Sequence, residues 1–288
     1  MKKGIIYALI TAVLFVTLEP VSKLIAQDVT PYAITFWRFL IGSFILIPPA
    51  IIKIRRDKIH IKPRDVLITS LLGILFICIS MLTLQLAVKK ADAPSLIAII
   101  FSSNSLFTIL FAIVILKEKL TKYKTLALIL GVIGVLFCTD FTHGTNLESV
   151  ALALFAAVSF SLYTVLGKKF SGHLGGIVQS AMVFLSGSII LLVILIATGT
   201  NISPTADLST LSILCYLGLF VTGAGYACYF IAIDKGGAIM ASIAFFIKPI
   251  LTPFVTLVIN GIVPDWKVFA AVVCIMAASY FAVYKKKN

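Results

Sequence analysis

Acidic residues are scarce in this chain. Eleven Asp and Glu stand against 24 Lys and Arg in 288 residues, and charged residues of both signs make up only 12% of the sequence. A soluble domain carries about twice that share. With 60% hydrophobic residues and a mean hydropathy of +1.12, the composition excludes a water-soluble fold and points to a chain that crosses a membrane many times. Long connectors are missing too. The longest is 53–65, KIRRDKIHIKPRD, so there is no soluble sensor or nucleotide-hydrolysing domain. Cys78, Cys138, Cys215, Cys228 and Cys274 form no Cys-x-x-Cys pair and have no metal-ligand spacing; they are expected as buried free thiols. The three histidines, His60, His143 and His173, fall in connectors and are expected to be solvated. There is no nucleophile–base set, zinc spacing or phosphate-cradling glycine loop, so neither an enzyme nor a cofactor is expected.

What the chain does have is ten apolar runs, roughly 4–25, 31–52, 66–88, 93–116, 123–139, 147–167, 174–197, 209–232, 237–259 and 265–284. A helix rises about 1.5 Å per residue, so about 20 residues cross a hydrocarbon core of about 30 Å. The expectation is an all-α membrane protein of ten transmembrane helices. Lys2 and Lys3 ahead of the first run resemble a signal peptide, but the run is too long and no small-residue cleavage site follows, so it should be retained.

Basic residues set the orientation. With the N-terminus inside and ten crossings, the inner segments hold Lys2, Lys3, the six cations of 53–64, Lys117, Lys119, Lys122, Lys124, Lys168, Lys169, Lys235 and Lys285–Lys287. The outer side holds only Lys23, Lys89, Lys90 and Lys267. This bias places both termini in the cytoplasm and the protein in the inner membrane. It also explains the net charge of +13 without nucleic acid, because the cations meet anionic headgroups. The expected partners are the lipid bilayer and a small-molecule substrate, with the chain a monomer or homodimer.

The stretch Gly237–Ile259 carries one charge, Lys248, near its middle. A cation there costs roughly 2.5–3.5 kcal/mol on insertion scales and seeks a partner or a wet cavity. Pro249 and Pro253 loosen the helix beside it. Ala241, Ala244, Lys248, Thr252 and Thr256 share one stripe, which reads as the wall of a central cavity.

The two halves of the chain align without a gap at a shift of 145 residues. Phe39 meets Phe184, Gly42 meets Gly187, Ser43 meets Ser188 and Gly73 meets Gly218. The units are 1–143 and 146–288. Each holds five runs, an odd number, so the two must insert in opposite senses. Inverted repeats build secondary transporters with a site near the midplane.

Arg38-Phe39 in the second run, ILKEKLT at Ile115–Thr121, and the Gly131–Gly134 pair, set within two five-helix units, resemble the EamA group of the drug/metabolite transporter superfamily. The resemblance covers nearly the whole chain. It implies a ten-helix exporter or exchanger of small metabolites, often amino acids or related compounds. In that fold, helices one to four and six to nine line the cavity while five and ten are peripheral. Glu118 has no counterpart in the second half, where Val263 stands, so a paired gating role does not carry over.

Three charges lie inside apolar runs: Glu19, Arg38 and Lys248. Glu19 and Arg38 are at matched depth, about 10 Å below the outer surface. Glu19 suits a proton-coupling carboxylate, an anchor for a substrate amine, or a structural ion pair with Arg38 or Lys248. Arg38 suits a structural role near the outer boundary. Lys248 suits a substrate carboxylate or phosphate. Ser103 and Asn104 in the fourth run, Tyr226 in the eighth, Thr252, Gln85, Tyr163 and Gln179 complete the candidate binding set. The expected function is secondary active transport of a small metabolite, an amino acid or related zwitterion, by alternating access with possible proton coupling. The alternative is a lipid-handling or sensor protein that moves no solute.

Overall fold

The computed structural model describes residues 2–138, 146–203 and 207–283; His143 and Lys285–Lys287 lie outside them. The described residues are helical and include no strand. In chain order the segments are α1 (Gly4–Leu24), α2 (Pro31–Arg56), α3 (Pro63–Lys90), α4 (Pro94–Leu116), α5 (Lys122–Cys138), α6 (Leu147–Leu174), α7 (Gly176–Ala197), α8 (Leu208–Ile233), α9 (Ile247–Asn260) and α10 (Trp266–Val283). Seven of these, all but α5, α9 and α10, are long and apolar enough to cross a membrane. The sequence predicts ten such spans. The α5 helix has 17 residues, about 26 Å, and opens on Lys122 and Lys124.

The α9 helix is joined to α8. Helical backbone continues from Gly225 to Asn260, 36 residues, which would measure about 54 Å if straight. It is not straight. Tyr229 and Phe245 are about 24 Å apart along a helix axis, yet their ring centroids lie 5.3 Å apart. Phe15 of α1 touches both Tyr226 at 5.0 Å and Phe245 at 6.0 Å. The segment therefore doubles back between Tyr229 and Phe245, and α8 and α9 lie antiparallel along α1. Thr11 donates to the Gly225 carbonyl at 3.3 Å, and Asn260 to the Pro20 carbonyl at 3.2 Å.

Local chemistry sets the helix ends. Thr30, Asn146 and Asp207 accept hydrogen bonds from the backbone N–H three residues on, and Pro31, Pro63 and Pro94 begin their helices. Basic residues close α2 at Lys53, Arg55 and Arg56 and α3 at Lys89 and Lys90. Gly261, at φ 70°, ends α9.

Equivalent elements start together. A shift of 145 residues carries Pro31 and Pro63 onto Gly176 and Leu208, each the first residue of a helix. Both α3 and α8 contain a π-helical stretch, Ile74–Met81 and Leu217–Ala224, which the same shift superposes to within two residues. Wide turns of this length are rare and tend to mark functional segments.

At the centre, α2 crosses α7. Phe39 meets its own counterpart Phe184 edge-on at 4.9 Å, and both are fully buried. Trp37, near the start of α2, donates to the Ile202 carbonyl just past the end of α7. Lys53, near the end of α2, lies beside Gly175 at the start of α7. The two helices thus run antiparallel. On α3, Gly73 abuts Gly187 of α7; Gly42 of α2 abuts Thr222 and Gly223 of α8. Small residues permit this close approach. The α5 and α10 helices pack on each other, with Gly134 against Cys274 and Ile275.

One sequence expectation needs correction. Cys215 is exposed and Cys78, Cys228 and Cys274 are half-buried, so the thiols are free but not all buried. The Cys138 side chain lies outside the described set. His60 and His173 are both exposed, as expected, and His173 also sits 3.2 Å from the Asp65 carboxylate.

Candidate functional site

A cavity of about 600 Å³ opens between the two halves. Its walls come from α4 (Asn104, Ser105, Thr108), α6 (Phe160, Tyr163, Thr164), α7 (Gln179, Ser180) and α8 (Tyr226, Tyr229, Phe230), with Phe245 closing one side. Its mouth is ionic. Glu118 accepts from Lys124 at 3.0 Å and from Lys168 at 3.3 Å, which ties the ends of α4, α5 and α6 together. The Lys124 ammonium, and then Lys168, hold the Glu118 carboxyl below the usual carboxylate range.

These mouth pairs are solvent-exposed, with Glu118 at 38%. Exposed pairs contribute about 0.2–1 kcal/mol each. Glu118→Gln removes both pairs and is therefore expected to cost under about 2 kcal/mol, read as a small drop in melting temperature. The depressed carboxyl contributes in full above its unfolded value of about 4.3. That contribution fades as the pH falls below there, so wild type and Glu118→Gln should converge in acid. A deficit that persists at low pH contradicts the ion-pair account.

Four of the predicted residues line the cavity: Asn104, Tyr163, Gln179 and Tyr226. The helix break at Ser103 explains why Asn104 does so and Ser103 does not. Ser102 and Ser103 return hydrogen bonds to the Ala98 and Ile100 carbonyls, which bends α4 there. Ser103 turns into a small apolar pocket with Leu106, Phe107 and Leu128 instead. The Asn104 carbonyl accepts from Thr108 and from Ser161 of α6, an interhelical bond. Tyr163 stacks on Phe76 at 4.5 Å and shares the cavity wall with Ser180 and Gln179.

Glu19, Arg38, Lys248, Gln85 and Thr252 lie beyond the cavity, fully or almost fully buried. Lys248 donates to Glu19 Oε1 at 2.6 Å, with side-chain exposures of 5% and 0%. The two charges that sequence alone would offer to opposite ends of a zwitterion hold each other in this conformation. The α1 backbone breaks at Thr17, next to the Val16 carbonyl that Pro20 leaves without its helical donor. Lys248 also lies 5.7 Å from the Phe101 ring. Thr252 spends its hydroxyl on the Lys248 carbonyl. Between this charged layer and the cavity stands an aromatic wall. Phe15 meets Tyr226 at 5.0 Å, Tyr226 meets Phe184 at 5.1 Å, and Phe184 meets Phe76 at 5.6 Å.

Sequence reasoning passed over Phe160, Thr164 and Lys168. Their spacing of four puts them on one face of α6, a usable signal that the all-round apolarity of the helix hides.

A profile of the EamA-like transporter family matches residues 2–139 and again residues 147–284. The chain belongs to this family. An uncharacterized transporter of Clostridium kluyveri is 36% identical, with all of this chain and 96% of the relative covered. An S-adenosylmethionine uptake transporter of Rickettsia bellii is 24% identical over 94% of this chain and 89% of its own. A crystal structure at 17% identity superposes with a TM-score of 0.69 over 98% of this chain and 97% of that one, which shows a shared fold. The protein is thus a multi-pass integral membrane protein of a transporter family.

Proposed function

We propose that this member of the EamA-like family is a secondary active transporter, an exporter or exchanger, of a small metabolite such as an amino acid or related zwitterion. Its two units, 1–143 and 146–288, are inverted five-helix repeats, ten crossings in all, with both termini cytoplasmic in the inner membrane. The observation that carries this reading is the one-ended cavity. Its mouth holds Glu118, Lys124 and Lys168, and its far end stops at the aromatic wall below the Glu19–Lys248 pair. The inner side is the more basic one, so the cavity is an inward-facing vestibule. At about 600 Å³ it matches a small-metabolite site. Antiparallel α2 and α7, meeting at Phe39 and Phe184, support the inverted repeat, as do the matching helix starts.

Glu19 is the coupling group in this reading. Protonation, or a substrate ammonium, competes with Lys248 for its carboxylate, and release of the pair lets the halves rock. Wild-type protein in proteoliposomes should accumulate at least one radiolabelled amino acid when a pH gradient is imposed. Glu19→Gln should keep solute exchange but lose the response to the gradient. The proposal falls if no member of an amino-acid panel accumulates in wild type, and the coupling role falls if Glu19→Gln responds to the gradient as wild type does.

A further inference from the structure

Two buried cations share one carboxylate in the layer above the cavity. Lys248 takes it. Arg38 does not. Its side chain lies about 10 Å inside α2, is 3% exposed, and is in no ion pair among the described residues. Its Nη2 donates to the Met81 sulfur at 3.4 Å, a weak acceptor. Its Nε has no acceptor at all. Its guanidinium lies 4.6 Å from the Phe39 ring. Glu19 acts on Arg38 through its charge, but no hydrogen bond joins them.

Gln85 lies four residues beyond Met81, one turn along the same face of α3. It is 2% exposed, and its Nε2 also lacks an acceptor. A donor left without an acceptor in a bilayer interior costs several kcal/mol. Here one such donor belongs to the Arg38 guanidinium and the other lies one turn along α3 from the Met81 that the guanidinium touches. The planar fork of an arginine pairs two oxygens in parallel, the geometry of a carboxylate. Tyr226 connects this place to the cavity. It lines the cavity wall and packs on Phe184 at 5.1 Å, which meets Phe39, the ring beneath the Arg38 guanidinium.

We infer that Arg38 and Gln85 form a carboxylate receptor, separated from the cavity by Tyr226, which takes the anionic end of the transported solute. The inference rests on the transport reading and deepens it. The anionic group belongs to Arg38, leaving the Glu19–Lys248 pair free to act as the coupling element. A displaced Tyr226 side chain joins receptor and cavity into one site, aromatic below and cationic above.

The test uses the full chain in nanodiscs and sodium benzoate as the probe, with benzamide as its uncharged match and ionic strength held constant. Benzoate should raise the melting temperature of wild type in a saturable way, and benzamide should not. Arg38→Gln should abolish the benzoate response. Arg38→Lys, which keeps charge but loses the fork, should weaken it about tenfold or more. If Arg38→Gln does not fold, Gln85→Leu serves in its place and should weaken benzoate several-fold. Equal shifts with benzoate and benzamide, or a benzoate response that survives loss of both Arg38 and Gln85, overturn the receptor. If Lys248→Met removes the response while Arg38→Gln keeps it, the anion sits at Lys248; this assignment then fails and the transport reading stands. If wild type accumulates no amino acid yet the Arg38-dependent response holds, the receptor stands and the transport reading fails.

Discussion

Lys248→Met alone is expected to destabilise the protein by about 3–5 kcal/mol, because it strands Glu19 as an unpaired carboxylate at 0% exposure. Glu19→Gln alone should cost a comparable amount by leaving the ammonium unpaired. The double variant Glu19→Gln/Lys248→Met should recover most of that loss, since replacing a buried pair by uncharged groups of similar volume is often neutral or better. Thermal melting of the four proteins closes a double-mutant cycle, and a coupling energy of several kcal/mol is the expected result. Additive losses would show that the 2.6 Å contact contributes nothing beyond its parts. The double variant also separates structure from function. It should fold and keep solute exchange in proteoliposomes, yet lose the response to a pH gradient. If it transports like wild type, the pair is structural only, and the coupling step belongs to another residue.

The helix starts were legible in the sequence because apolar runs punctuated by prolines and caps leave little freedom. Pro31 and Pro63 mark helix starts, and the 145-residue shift carries them to Gly176 and Leu208. Which face of a span matters was legible too: Lys248 and Thr252 share a buried stripe, as their spacing of four predicts. Partnership was not. Glu19 and Lys248 are 229 residues apart, and helical periodicity gives a face without a neighbour. The same limit hid the helical link between α8 and α9, because Asp234 and Lys235 fall between the two apolar runs. It also grouped Ser103 with Asn104, which the bend in α4 sends to different pockets. The ionic mouth was invisible for another reason. Glu118, Lys124 and Lys168 lie at helix ends, where charge needs no explanation, and only the packing of α4, α5 and α6 brings them together.

Gly73→Leu is expected to disrupt the fold more than any other single change outside the charged layer. A Cβ at Gly73 would fall 2.8 Å from the Gly187 nitrogen, 2.9 Å from its Cα and 3.0 Å from the Val183 carbonyl oxygen. All three are backbone atoms, so no rotamer change makes room, and α3 must separate from α7 along their length. Overpacking typically costs 1–3 kcal/mol where neighbours can shift, so a larger loss, above about 3 kcal/mol, is expected here. The pseudo-equivalent crossing is softer. A Cβ at Gly42 would meet the Thr222 methyl at 2.7 Å and the Gly223 nitrogen only at 3.4 Å. Gly42→Ala should therefore cost less than Gly73→Ala, and Gly42→Ala/Thr222→Ala should recover much of the difference. Gly172→Ala, with nothing within 4 Å, is the control and should melt like wild type. Monodispersity by size-exclusion chromatography and melting temperature report all five. If Gly73→Leu stays monodisperse and melts like the control, the α3–α7 crossing is not the rigid contact on which the two halves bear. The pivot for alternating access would then lie elsewhere.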